Sequence, residues 1–243
     1  MLATPRRPAF YALGSGRAAE ALTLLHPPYT LWHLSYVALG AAAAPQIHPG
    51  RLGWALGAFA LAVGVGAHAL DELHDRPLGT SFSDRTLALA GGLSLLGAVA
   101  IGVGGIVSIS AWLLPLVIAG GLFMPAYNLE LAGGRFHSDL CFALGWGAFP
   151  AFTGYFVNSL EVGVAGLLMA AGCTALSLAQ RRLSSAAREL RRRTLAVEGT
   201  RTLTDGGSAE LSLAGMLAPL DGALAGLSLA LPALAGALLA ARL

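Results

Sequence analysis

Residues 87–127 read LALAGGLSLLGAVAIGVGGIVSISAWLLPLVIAGGLFMPAY and contain no charged side chain. A helix needs about 20 mostly apolar residues to cross a bilayer, so this stretch predicts two consecutive membrane spans. Similar apolar stretches lie on both sides of it along the chain. The predicted spans are 29–45, 52–70, 87–106, 109–127, 140–157, 162–180 and 211–240.

The last of these stretches is too long for one untilted span and short for two. Pro219 and Pro232 interrupt it, which predicts either a kinked span or a re-entrant pair. We therefore expect about seven transmembrane helices, or eight if 211–240 crosses twice.

The composition supports the same class of protein. Apolar residues make up 56% of the 243-residue chain and charged residues only 12%, against roughly 25% charged residues in soluble domains. Cys141 and Cys173 both lie in apolar stretches, which argues against a disulfide scaffold. A soluble enzyme, a nucleic-acid-binding domain and a secreted disulfide protein are excluded. The expected fold is an all-α, polytopic helical bundle forming a single membrane domain, 1–243.

All 15 basic residues are arginine, and their distribution predicts the orientation. With the N-terminus in the cytoplasm, 13 of the 15, all except Arg51 and Arg242, fall on the cytoplasmic side, as the positive-inside rule requires. The first 20 residues have no apolar core, so no cleavable signal peptide is expected. We expect a multi-pass protein of the cytoplasmic membrane of a prokaryote. The predicted cytoplasmic segments are 1–28, 71–86, 128–139 and the basic loop 181–210.

Three carboxylates are crowded at the end of the second predicted span. Asp71 and Asp75 are one helical turn apart, with Glu72 at the flank. Such carboxylates repel each other unless a cation lies between them, and Mg²⁺ prefers oxygen ligands and often bridges to phosphates. Arg76 follows directly and is placed to pair with a phosphate oxygen. The pattern indicates a metal and phosphate site, or else a hydrated helix end.

A second polar cluster follows the fourth predicted span. It comprises Tyr127, Asn128, Glu130, Arg135, His137 and Asp139. Together with His68 and His74, its imidazoles and carboxylates also suit Fe, Mn or Zn, so a transition-metal site is an alternative. Histidines bonded only to neighbouring helices are the alternative without a metal.

Three further features remain open at this level. The run 180–201, QRRLSSAARELRRRTLAVEGTR, is either an anchor for anionic lipid headgroups or a basic wall for a lipid diphosphate. Asp221, an acid inside the last apolar stretch, is a functional candidate whose partner the sequence does not name. His26 and Tyr29 mark a pocket edge or a simple helix start.

The acidic loop carries a family resemblance. Residues 71–86 resemble the first aspartate-rich loop of the UbiA superfamily of intramembrane prenyltransferases, in which N-D-x-x-D-x-x-x-D precedes an RPL-type segment. Asp71, Glu72 and Asp75 match its first three polar positions, whereas Gly79 replaces the fourth acid. Further similar motifs follow in the family's order over residues 25–200. They are Tyr127, Asp139 to Pro150, Gly154-Tyr155-Phe156 and Arg193-Thr194-Leu195-Ala196-Val197.

The resemblance implies an enzyme that ionises a polyprenyl diphosphate at the cytoplasmic face, for prenyl transfer to a lipophilic acceptor or for terpene cyclisation. Asp71, Glu72 and Asp75 would hold Mg²⁺. Arg76, Arg135, Arg181 and Arg182 would bind the diphosphate. Asp75 would be catalytic, with Glu130, His137 or Asp139 as the base. His68, His74, Tyr127, Asn128 and Tyr155 would line the substrate pocket.

The chain also departs from the family. Leu183 and Ala187 occupy the places of a second acid pair, and neither binds metal. One alternative is therefore a non-catalytic protein or subunit that binds lipids or quinones. A second is an intramembrane metalloenzyme using histidines and carboxylates. The sequence leaves open whether the protein acts alone, as a homo-oligomer or within a complex.

Overall fold

The computed structural model describes residues 8–14 and 16–243, so Arg6 and Arg7 of the predicted N-terminal segment lie outside the described residues. The described chain is almost entirely helical. Its helices are α1 (Arg17–Leu24), α2 (Pro27–Ala43), α3 (Pro49–Asp75), α4 (Asp84–Ser108), α5 (Ala111–Asn128), α6 (Asp139–Ser159), α7 (Val164–Arg193) and α8 (Leu213–Ala240). A small antiparallel hairpin, β1 (Thr200–Thr202) and β2 (Ser208–Glu210), connects α7 to α8.

Within the described part of the chain, six helices, α3 to α8, are long and apolar enough to cross a membrane. The prediction of a polytopic helical membrane protein is confirmed at this level. The outer face of α4 carries the signature of lipid contact, because Leu93 and Leu96 are each 65% exposed. Exposed leucines in such number on one helix indicate a surface that water does not cover.

Helix α2 is the innermost helix of the bundle and packs most extensively against α6. Trp32, Tyr36 and Val37 are completely buried on it. Two glycines allow the two backbones to approach closely, since a β-carbon at Gly40 would collide with the carbonyl of Ala151, and one at Gly154 with that of Val37. Small residues serve this purpose in membrane helix packing.

Of the two arrangements predicted for 211–240, the structure has the single helix. Helix α8 runs without interruption over 28 residues, with Pro219 and Pro232 inside it. At 1.5 Å per residue it is about 42 Å long. A re-entrant pair is not formed, because neighbouring helices in a membrane protein can compensate for the missing proline hydrogen bonds.

In the part of the chain that the structure describes, three helices contain a π-helical turn, in which the backbone is locally wider than an α-helix. These turns are Ala60–Ala67 in α3, Leu144–Ala148 in α6 and Glu189–Arg193 in α7. Such turns are frequent at functional sites. The turn in α3 precedes its last segment, His68–Asp75, the turn in α7 is its last one, and the turn in α6 follows its first residues, Asp139–Ala143.

Candidate functional site

A polar pocket with a cavity of about 320 Å³ opens at the end of the bundle where α3, α5 and α7 finish, which is the predicted cytoplasmic end. It is formed by the last turns of α3 and α7, the loop between α5 and α6, the start of α2 and the segment before α1. Its chemistry is unusual for a membrane protein because carboxylates, imidazoles and guanidinium groups all line one cavity. Ionisable groups in a membrane domain mark functional sites by default.

One side of the pocket is acidic. Asp71 and Asp75 reach it from α3, and Glu130 reaches it from the loop after α5. Ligand atoms of His74, Asp75 and Glu130 lie within 4.8 Å of one another. Glu130 takes a left-handed backbone conformation (φ 47°). Such a conformation is uncommon for a residue other than glycine and persists where the surrounding structure requires it.

His137 connects this acidic side to the pocket interior. Its Nδ1 lies 3.4 Å from a Glu130 carboxylate oxygen, and its ring stacks on Tyr127 at a centroid distance of 4.6 Å. Imidazole and carboxylate in this arrangement can hold and transfer a proton.

Another part of the pocket lining is basic, and its arginines come from α7 in the described part of the chain. Among the described residues, the arginines that line the pocket are Arg181, Arg188, Arg191 and Arg192. Two of these arginines form ion pairs with a nearby carboxylate. Arg181 pairs with Asp139 (Nε to Oδ1, 2.9 Å), and Arg191 pairs with Asp221 of α8.

Histidines and tyrosines form the remaining wall. The rings of His26 and His68 lie 4.0 Å apart, and Tyr11 and Tyr29 pack against His26. Burial, together with the nearby positive charges of Arg192 and Arg188, lowers the pKa of His26 to about 3, so this imidazole is neutral. Burial raises the pKa of the Tyr11 hydroxyl above its usual range, so it remains a donor.

His33 lies deeper and has a defined tautomer. Its Nδ1 is 2.8 Å from the carbonyl oxygen of Trp146. A carbonyl only accepts, so Nδ1 carries the proton and Nε2 is left as an acceptor.

Two buried polar groups on the pocket wall have no partner among the described residues. They are the Tyr127 hydroxyl and the Gln180 Oε1, on side chains that are 4% and 2% exposed. Buried polar atoms are nearly always hydrogen-bonded, so each exception calls for a bound molecule or water.

The structure does not bring the predicted acid triad together. Glu72 is completely buried, and its carboxylate accepts hydrogen bonds from the backbone N–H groups of Leu78 (2.9 Å) and Thr80 (2.7 Å). It therefore stabilises the α3–α4 loop and does not line the pocket, whereas Asp71 and Asp75 do. Both Glu72 carboxylate oxygens accept from the loop backbone, so Glu72 as a metal ligand stays a prediction, and the structure favours a role in the loop.

Three predicted diphosphate ligands also lie elsewhere. Arg76 donates to the Phe82 carbonyl (2.7 Å) and pairs with Asp84, so it closes the same loop. Arg135 and Arg182 are exposed and do not line the pocket. Arg181 is the one predicted arginine that the structure places in the pocket.

The predicted pocket residues divide in the same way. His68, Tyr127 and Asn128 line the cavity, as does His137, which was predicted as a base; His74 does not line it, and its Nε2 lies 3.9 Å from Asp75 Oδ1. Tyr155 does not, because its ring packs against Gly163 and Gly166 at the start of α7. Asp139 is 64% exposed outside the cavity and faces Arg181. Ala187 lines the cavity and Leu183 does not.

Sequence reasoning missed most of the basic side. Arg188, Arg191 and Arg192 were part of a basic run that served equally well as a lipid anchor. A signal was present, because Gln180, Ser184, Ala187, Arg188 and Arg191 recur at the spacing of one helix face.

An apolar cavity of about 140 Å³ lies behind the polar pocket, between α3, α4, α5 and α6. Val63 and Trp146 line both cavities and form the wall between them.

The fold and the pocket define a polytopic helical membrane protein with a pocket of mixed charge at one end and an apolar cavity behind it. No protein-family model, curated protein or solved structure matches this chain.

Proposed function

We propose that the protein is a divergent UbiA-type enzyme that ionises a polyprenyl diphosphate at the cytoplasmic membrane face. The carrying observation is the pocket itself, which sets carboxylates from α3 and the α5–α6 loop against arginines from α7. An anionic diphosphate needs positive groups, and a divalent cation that accompanies it needs carboxylates. If the carboxylates and arginines served only to form ion pairs with each other, they would not need to line a cavity.

The apolar cavity supports an amphipathic substrate. A prenyl diphosphate has a charged head and a hydrocarbon tail, and the two cavities differ in the same way. Because they share Val63 and Trp146, a molecule bound with its head in the polar pocket would direct its tail towards that wall.

The acidic side fits a divalent cation. Asp75 and Glu130 supply carboxylate oxygens near His74, and Asp71 lies in the same cavity. Mg²⁺ would take the oxygens and keep several waters. When bound, such a cation neutralises charge on a departing diphosphate. Glu130 thus takes the place that the resemblance implies for Glu72.

The chain's own groups have distinct roles in the proposed reaction. The allylic C–O bond breaks, the diphosphate leaves with the electron pair, and pocket arginines stabilise its charge. An acceptor then attacks the allylic cation, or the cation closes on itself. The proton lost in either route passes to His137, which Glu130 orients from 3.4 Å. Asp139 pairs with Arg181 and positions that arginine.

The test is pyrophosphate release by detergent-purified protein supplied with Mg²⁺ and C10–C20 prenyl diphosphates. We expect release by the wild type and at least a tenfold loss in Asp75→Asn, with the lipid product distinguishing transfer from cyclisation. Glu161→Gln is the matched control, because Glu161 is an exposed acid outside the pocket. No release with any substrate would contradict the proposal and favour a protein that binds lipids or quinones without catalysis.

One observation favours a second candidate. His74, Asp75 and Glu130 form the one grouping among the described residues whose ligand atoms are close enough for a shared ion. Nitrogen and oxygen together suit Fe, Mn or Zn, so an intramembrane metalloenzyme is the competing function. It predicts stoichiometric transition metal in the purified protein and its loss in His74→Gln.

A further inference from the structure

The α7 side of the pocket is basic where the family resemblance would place a second pair of metal-binding acids. Leu183 and Ala187 occupy those positions, and neither carries a ligand atom. Arg188 directly follows Ala187, and Arg192 lies one turn further along. Both line the pocket, as Ala187 does.

These two arginines are available for a ligand. Arg181 and Arg191 are paired with Asp139 and Asp221. Neither Arg188 nor Arg192 forms an ion pair with any described residue, and Arg188 donates only to the uncharged Ser185 hydroxyl (3.0 Å). Both act electrostatically on His26 across the pocket. Guanidinium groups that no carboxylate holds in an ion pair attract anions, more strongly at half-buried Arg188 than at the exposed Arg192, where solvent screens the charge.

The carboxylates and the arginines reach the pocket from different elements, which determines how a ligand with both an anion and a cation would be oriented. Carboxylates approach the pocket from α3 and the α5–α6 loop, and arginines approach it only from α7 among the described residues. A ligand therefore meets a cation-binding side and an anion-binding side. The guanidinium fork matches two phosphate oxygens and keeps its charge at any physiological pH.

We infer that Arg188 and Arg192 bind the diphosphate directly and replace the second metal ion that a second acid pair would have held. This assignment rests on the proposed function for its choice of ligand. It has two consequences. The pocket binds pyrophosphate without a divalent cation, and turnover requires one cation rather than two.

The first test is binding of inorganic pyrophosphate to the detergent-purified full chain in EDTA, measured by calorimetry. We expect binding by the wild type and a loss of about 10- to 100-fold in Arg188→Gln, the range for removing a charge-assisted hydrogen-bonded partner. Arg192→Gln is a second variant with the same expectation. Arg188→Lys, which keeps the charge and loses the fork, should fall in between.

Arg182→Gln is the matched control. Arg182 lies on the same helix and is exposed outside the pocket, and its replacement changes the net charge equally. Pyrophosphate affinity should therefore be unchanged. Equal losses in Arg182→Gln and Arg188→Gln would show an unspecific charge effect and overturn the assignment.

A phospholipid headgroup has similar chemistry, so vesicles separate the two sources. Suppose that the protein binds phosphatidylglycerol vesicles but not pyrophosphate, and that Arg188→Gln and Arg192→Gln weaken vesicle binding equally. The two arginines are then an anchor for lipid headgroups, and the assignment is wrong. Weakening of pyrophosphate binding by Arg188→Gln and Arg192→Gln, with Arg182→Gln unchanged, supports the assignment.

The second test separates this assignment from the proposed function. If prenyl diphosphates are ionised with a Mg²⁺ dependence that fits two ions, and Arg188→Gln is unaffected, the assignment fails and the enzyme proposal stands. If pyrophosphate binds without metal through Arg188 but no prenyl diphosphate is ionised, the binding assignment stands and the enzyme proposal fails.

Discussion

Replacing Glu72 with glutamine tests whether this acid stabilises the loop or binds a metal. The wild-type carboxylate accepts from two half-buried backbone donors, Leu78 N (2.9 Å) and Thr80 N (2.7 Å). Glutamine keeps one carbonyl acceptor and turns its NH₂ group towards the other donor. One charge-assisted hydrogen bond is lost and one half-buried N–H loses its partner, which costs about 2–3 kcal/mol.

The free-energy loss is local, so hydrogen exchange is the appropriate assay. A loss of about 2–3 kcal/mol corresponds to roughly 30- to 150-fold faster exchange, because each 1.4 kcal/mol is a factor of ten. We expect this increase in a peptide covering residues 76–84 of Glu72→Gln. Asp75→Asn is the control, since the Asp75 side chain is 71% exposed and its replacement should leave exchange unchanged.

The opposite pattern would refute the reasoning. If Glu72→Gln exchanges like the wild type but loses a Mg²⁺-dependent response, then Glu72 is a metal ligand and its bonds to the loop are dispensable.

Two further predictions concern the helices around the pocket. Burial holds the pKa of His26 at about 3, below its usual value near 6.5, so the unfolded chain binds a proton between these values and the folded chain does not. Thermal stability should therefore fall as pH drops from 6.5 to 5, by at most about 1.4 kcal/mol per pH unit from this group. His26→Asn, which tolerates the left-handed backbone (φ 44°), should show a shallower decline, and equal slopes would contradict the prediction. Gly40→Ala should lower the unfolding temperature, because its methyl group collides with the Ala151 carbonyl and overpacking costs about 1–3 kcal/mol or more. Gly92→Ala, which meets nothing within 4 Å, should not, and matching losses in both would show that helix α2 does not pack as described.

The helices themselves were predictable because apolarity alone defines them. The stretch 87–106 became α4 at Asp84–Ser108, where the Ser83 hydroxyl accepts from Thr86 N and caps the first turn. The helical placement of Asp71 and Asp75 was also correct.

The direction of the acids was not predictable from an ideal helix. The π-helical turn Ala60–Ala67 inserts extra backbone before Asp71, so a helical wheel drawn from the lipid-facing part of α3 is out of phase beyond it. Which acid faces the pocket then depends on the α3–α4 loop. Its donors at Leu78 and Thr80 follow no periodicity, so the capture of Glu72 had no sequence signal.

Contacts between segments that are distant in the sequence were equally unpredictable from it. Glu130 joins Asp75 and His74 only because its left-handed loop folds back over the end of α3. Helical spacing indicates which residues share a face of α7, but it does not indicate which cavity that face borders.

The ion pair between Arg191 and Asp221 has a consequence for how the protein enters the membrane. Asp221 lies in the third turn of α8, where an isolated carboxylate costs up to about 2.5–3.5 kcal/mol for insertion, the value that applies at the centre of a membrane helix. Arg191 precedes Asp221 by 30 residues along the chain, so it leaves the ribosome first. The order of synthesis therefore supplies the counter-ion before the acid that needs it, and α8 is expected to insert stably only after α7.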